Sequence, residues 1–123
     1  MKKLLPIVVV TLLILAFCSP ALARVTDVTA WVSDPVAVGS AYKFTFGGQV
    51  YADRPGDIQY RWARSDNANP PIKTLHASQA GWYTVEQGSW QLGNRWSGST
   101  FSVTLEVLHP NTISSDQVSF TVP

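Results

Sequence analysis

Cysteine is nearly absent from this 123-residue chain: Cys18 is the single one. No intrachain disulfide can form, and no thiolate cluster is available for zinc. Cationic charge is also scarce, with nine Lys and Arg against eight Asp and Glu. Without a basic excess nothing neutralises a row of phosphates, so nucleic acid is not an expected partner. Histidine occurs only at His76 and His109, and glutamate only at Glu86 and Glu106. No G-x-S-x-G elbow accompanies them, so neither a nucleophile motif nor a carboxylate pair marks an active site. The expectation is no enzyme, no catalytic residue, no metal and no cofactor. Asp53 and Asp57 flank one turn, where they serve turn geometry and solubility rather than calcium.

Long apolar runs are confined to the start. Met1-Lys2-Lys3 is followed by an apolar stretch from Leu4 through Phe17, and Ala21-Leu22-Ala23 offers a small-residue cleavage site. Basic start, apolar middle and A-x-A end are the parts of a secretory signal. A membrane anchor needs about 20 apolar residues, and here Pro6 and Ser19-Pro20 bracket a shorter core. A lipoprotein signal would want a small residue before Cys18, where Phe17 stands. The expectation is therefore a signal peptide over residues 1–23 and a mature domain over residues 24–123, secreted or periplasmic. Removing Lys2 and Lys3 leaves seven basic residues against eight acidic ones, a net charge of about −1. No polybasic or amphipathic segment remains to hold the mature chain on a membrane.

What the mature part does have is alternation. Val28, Ala30 and Val32 alternate with Thr29, Trp31 and Ser33; Tyr42, Phe44 and Phe46 alternate with Lys43 and Thr45 and continue toward Val50. Ile58-Tyr60-Trp62, Phe101-Val103-Leu105-Val107 and Val118-Phe120-Val122 repeat the period of two. One apolar face per strand predicts half-buried antiparallel strands. Arg54-Pro55-Gly56-Asp57, the loop Ser65 to Pro71, Gly93 to Gly98 and His109-Pro110-Asn111 supply the turns. Ile72–His76 and Trp82–Leu92 read as two further strands. Val85 and Trp90 differ by an odd number, and Gly88 is placed for a bulge that brings both inward. The sum is an all-β, antiparallel β-sandwich of about seven strands. Its third strand carries Trp62, where immunoglobulin sandwiches place a core tryptophan.

Tyr60-Arg61-Trp62-Ala63-Arg64-Ser65-Asp66, Trp90-Gln91-Leu92-Gly93, Pro110-Asn111, Ser115 and Val118-Ser119-Phe120 together resemble a family of small bacterial secreted immunoglobulin-like domains. In that family a Tyr-x-Trp-x-x-Ser-Asp-Gly stretch follows a turn like Asp53-Arg54-Pro55-Gly56 here. The resemblance spans roughly residues 42–122. Asn67 stands where the family has Gly, and the flanking cysteines often seen there are missing. The resemblance implies an immunoglobulin-like fold and an exported location, and it brings no catalytic residues.

Five tryptophans remain to be placed. Trp62 and Trp90 are expected in the core; Trp31 falls on the face opposite Val28, Ala30 and Val32, and Trp82-Tyr83 and Trp96 sit in or beside loops. Exposed aromatics stack on sugar rings or anchor protein partners. The leading expectation is a non-catalytic interaction module for a protein partner. The alternative is a carbohydrate-binding module with Trp82, Tyr83 and Trp96 as its ligand-binding residues. A small secreted hydrolase comes third. Aromatics aligned along one face would favour the glycan.

Overall fold

A computed structural model describes residues 23–68 and 70–123. Apart from Ala23, the signal peptide read at residues 1–23 lies outside the described residues.

Among the described residues, ten strands form two antiparallel sheets. They are β1 (Val25–Val32), β2 (Val36–Val38), β3 (Ala41–Ala52), β4 (Gly56–Arg64), β5 (Lys73–Ala77), β6 (Gly81–Thr84), β7 (Gly88–Gly93), β8 (Thr100–His109), β9 (Ile113–Ser114) and β10 (Val118–Thr121). Several are pieces of one line. β1 and β2 run along one edge of β3, and β6 and β7 run along the other. β9 and β10 likewise share one edge of β8, whose other edge pairs β4, and β5 closes that sheet. The ten strands therefore lie along seven lines, three in the first sheet and four in the second. Pro35 has no N–H to donate, which interrupts the first line without ending it.

The expected inward rhythm holds on both sheets. Phe44, Phe46, Val50 and Ala52 from β3 meet Ile58, Tyr60 and Trp62 from β4 and Val103, Leu105 and Val107 from β8. Phe46 and Trp62 bridge the two sheets edge to face, with ring centroids 4.9 Å apart. Trp90 packs between Phe101 and Phe120. The Arg64 guanidinium caps its ring at 3.9 Å, closing that end of the core.

The Trp82–Leu92 strand is broken rather than continuous. Thr84 pairs with Gln49 and Gly88 with Phe46, so three residues on this line, Val85 to Gln87, oppose two on β3. The extra residue resets the alternation, and Val85 and Trp90 both end up buried. Gly88 has a different duty from the one its position suggested. A Cβ there would lie within 3.0 Å of Phe46 Cδ2 and Cζ, so only glycine lets that ring pass. The freed main chain of Glu86 then serves the opposite sheet. Its N–H donates to the Tyr60 hydroxyl at 3.0 Å, and its carbonyl accepts from Trp62 Nε1 at 3.4 Å. The polar ends of two buried aromatics are thus met by one residue's backbone.

Candidate functional site

In an antiparallel pair, residues directly opposite share a face. With even positions of β3 turned inward, its outward positions are Ala41, Lys43, Thr45, Gly47, Gln49 and Tyr51. The pairing then places Val38, Val36, Trp31 and Thr29 on one side of that row and Trp82, Thr84, Ser89 and Gln91 on the other. Six large apolar residues are exposed among the described residues: Trp31, Val36, Val38, Ile72, Trp82 and Trp96. Four of the six stand on this one outer face of the first sheet. Charge is thin there, with Asp27 and Lys43 the charged outward positions of its strands.

Trp31 lies flat on the sheet. A Cβ on Gly47 would meet its Cε2 and Cη2 at 2.7 and 2.9 Å, and Cζ2 closer still. Three neighbouring ring atoms at similar distances mean the ring rests face down over the glycine, so Gly47 is buried although its position faces out. The opposite face of the indole remains in water, and Trp31 is 45% exposed. Four residues further along β3, about 13 Å at about 3.3 Å per residue, Tyr51 meets Trp82 edge to face at 5.4 Å. Trp82 is 50% exposed. Between the two stations lies Gln49, whose Nε2 donates to Thr84 Oγ1 at 3.4 Å.

The three aromatics expected to form a binding site are not brought together. Trp82 belongs to the outer face, whereas Tyr83 points to the other side of the same strand against the core. Its hydroxyl donates to the Gln79 carbonyl at 2.7 Å and accepts from the Gln79 N–H at 3.0 Å. The Ser78 hydroxyl first, then the Gln79 backbone, pull the Tyr83 phenol below its ordinary value. Trp96 sits in a 3-10 turn, Asn94–Trp96, beyond the Ala41 end of β3, while Trp82 is at the Ala52 end. Eleven residues of extended chain separate those ends by about 36 Å. Trp96 packs instead against Phe101 and Arg95. Trp31, Tyr51, Val36 and Val38 are the residues sequence reasoning missed. Parity already turned Trp31 outward, but only the register shows that it shares a face with Trp82.

The paired charged groups stand elsewhere. His76 Nδ1 lies 2.7 Å from Asp57 Oδ1 on the outer face of the second sheet, with both side chains well exposed. Arg61 pairs with Glu106 at 3.0 Å and Lys73 with Glu86 at 2.9 Å. Arg64 holds Asp66. Burial resists ionisation of Asp66, but the Arg64 hydrogen bonds and charge and the Ala68 N–H outweigh it, so its carboxyl lies below the ordinary value. A crevice of about 260 Å³ opens beside Arg61, Trp62, Arg64, Asn67, Pro70 and Glu106. Its arginines are already paired, and Trp62 is buried. No group of three or more His, Cys, Asp or Glu is placed to hold a metal ion among the described residues. No helix among them is long and apolar enough to cross a membrane. Compared with family models, with curated proteins and with solved structures, the chain matches none.

Proposed function

We propose that this chain is an exported, non-catalytic interaction module with an immunoglobulin-like plan, and that it engages a protein partner through the outer face of its first sheet. The order of the lines supports the plan. The first, second and fifth share one sheet, and the third, sixth and seventh share the other, with the fourth beside the third. The clustering of Trp31, Trp82, Val36 and Val38 on one weakly charged face carries the functional reading. Interface cores are depleted of charge and anchored by aromatics. Val36 and Val38 favour a protein over a sugar, because aliphatic side chains offer no ring to stack upon.

Two observations favour a neutral glycan as the second reading, the first being that the exposed Trp31 and Trp82 share one face. The flat Trp31 indole over Gly47, with Gln49 and Thr29 beside it, is a platform of the kind a pyranose ring stacks on. A single comparison separates the two. The exported domain, its Trp31→Ser/Trp82→Ser double variant and Trp96→Ser are immobilised, crosslinked in the exported fraction of the producing cells, and screened on neutral polysaccharides by tryptophan emission. A discrete protein bound by wild type and Trp96→Ser, but weakened by at least ~2 kcal/mol in the folded double variant, supports the protein partner. Polysaccharide binding lost on changing Trp31 replaces it with the glycan. Equal behaviour of all three proteins removes this face from the function.

A further inference from the structure

The start of β1 is fastened more tightly than an ordinary chain end. The Arg24 N–H donates to Asp53 Oδ1 at 2.8 Å, and the Asp53 N–H donates back to the Arg24 carbonyl at 2.9 Å. One residue on, the Val25 N–H donates to Asn111 Oδ1, and Asn111 Nδ2 donates to the Val25 carbonyl, both at 2.8 Å. Val25 is itself in the core. Two consecutive residues thus have every main-chain polar group bound by side chains or backbone from the β3–β4 and β8–β9 connections. Asp53 is also gripped by Arg54 through Nε and Nη2, each at 3.2 Å. This clamp begins at the residue that follows Ala21-Leu22-Ala23.

We propose that Asp53 is the binding site for the α-ammonium group that leader removal creates on Arg24, so that processing converts a hydrogen bond from an uncharged amide into an ion pair that locks β1. The proposal rests on the export reading above. The covalent step is hydrolysis: water breaks the Ala23–Arg24 amide, its oxygen going to the Ala23 carboxylate. The Arg24 nitrogen keeps the electron pair of the broken bond and takes up protons to become the ammonium. Before cleavage that nitrogen carries one N–H and no charge. Afterwards it carries three, one directed at Asp53 and two free for water. Room for that water comes from the leaving residue, because Ala23 is buried against Gly56, where even a Cβ would come within 2.7 Å of the Ala23 methyl.

Desolvation works against a charged Asp53, and the Arg24 N–H and the Arg54 guanidinium outweigh it, holding the carboxyl below its ordinary value. The carboxylate is therefore fully charged at the pH where an α-amine titrates, about 7.7–8.0 when unperturbed. An opposite charge in contact favours the protonated amine and raises that value. The linkage sign follows. A raised folded value contributes stability that is complete below about pH 7.7 and is lost as the pH climbs through the folded value.

The test expresses the full-length chain and purifies the exported product, beside Asp53→Asn and wild type acetylated at its α-amine. Intact mass gives the first residue. Acylation of the N-terminal amine, followed against pH by mass spectrometry, gives its protonation. An Arg24 start is expected, with wild type acylated several-fold more slowly at pH 8 than Asp53→Asn. Thermal stability of wild type should fall between about pH 8 and 10 relative to the acetylated protein, which has no amine to titrate and keeps the test open should Asp53→Asn not fold. An unprocessed chain retained in the cell would overturn the export reading, and the lock with it. An exported product that starts elsewhere would overturn the lock alone. So would an Arg24 amine that titrates at about 7.7–8.0 with or without Asp53.

Discussion

At the scale of single residues, the tryptophans divide by what their positions let them touch. Trp62 is 4% exposed, stacks edge to face on Phe46 and spends its indole N–H on Glu86. Trp62→Ala should therefore destabilise the domain by about 3–5 kcal/mol, the range for truncating a buried aromatic. Equilibrium denaturation checks it, with the slope of the transition unchanged and its midpoint lowered. A loss well under 1 kcal/mol would mean that Phe46 and Tyr60 close over the gap, contrary to close packing. Trp31 differs because it covers a glycine on the outside of a sheet. The same residue type takes opposite roles according to the parity of its position and the size of its cross-strand partner.

At the scale of elements, the break between β6 and β7 matters more than either strand. Three residues facing two let Val85 and Trp90 both point inward, and the same irregularity frees the Glu86 backbone for Tyr60 and Trp62. Deleting Gln87 should restore a regular two-against-two pairing and turn either Val85 or Trp90 to solvent. The expected outcome is loss of the cooperative unfolding transition and of near-ultraviolet circular dichroism, with strand content partly retained. A deletion variant as stable as wild type would mean the extra residue carries no parity. Sequence showed that this line needed an irregularity, since Val85 and Trp90 differ by an odd number. It pointed to Gly88 because glycine is the residue bulges favour. The structure uses Gly88 to pass the Phe46 ring and puts the extra residue just before it.

At the scale of the whole molecule, two connections are pinned by carboxylates. Asp53 fastens the β3–β4 corner to Arg24, and Asp66 fastens the loop after β4 to Arg64 and to the Ala68 N–H. Both carboxyls lie below their ordinary value. Their contribution is therefore present above an unfolded value of about 3.9 and is lost as the pH falls through the folded values. Thermal unfolding should be flat with pH near pH 5 to 6 and fall below about pH 4. Asp66→Asn should fall less steeply there than wild type; identical acid profiles would show that the Arg64 pair does not distinguish folded from unfolded chain.

Period-two alternation over Tyr42–Val50, Ile58–Trp62 and Phe101–Val107 determined by itself that these segments are β-strands, which of their positions face the core, and that Trp62 is among them. Alternation is a local property of the pleat, so a string of residues carries it in full. Which strands become neighbours is not local. The meeting of Trp31, Tyr51 and Trp82 on one face depends on β1 and β6 taking opposite edges of β3 in a particular register, over separations of tens of residues. The dispersal of Trp82, Tyr83 and Trp96 has the same cause: adjacent residues on a strand point apart, and the two ends of β7's line lie far from each other. Tertiary structure alone decided the candidate surface, because cross-strand pairing is settled by the burial of both sheets at once and not by any segment within them.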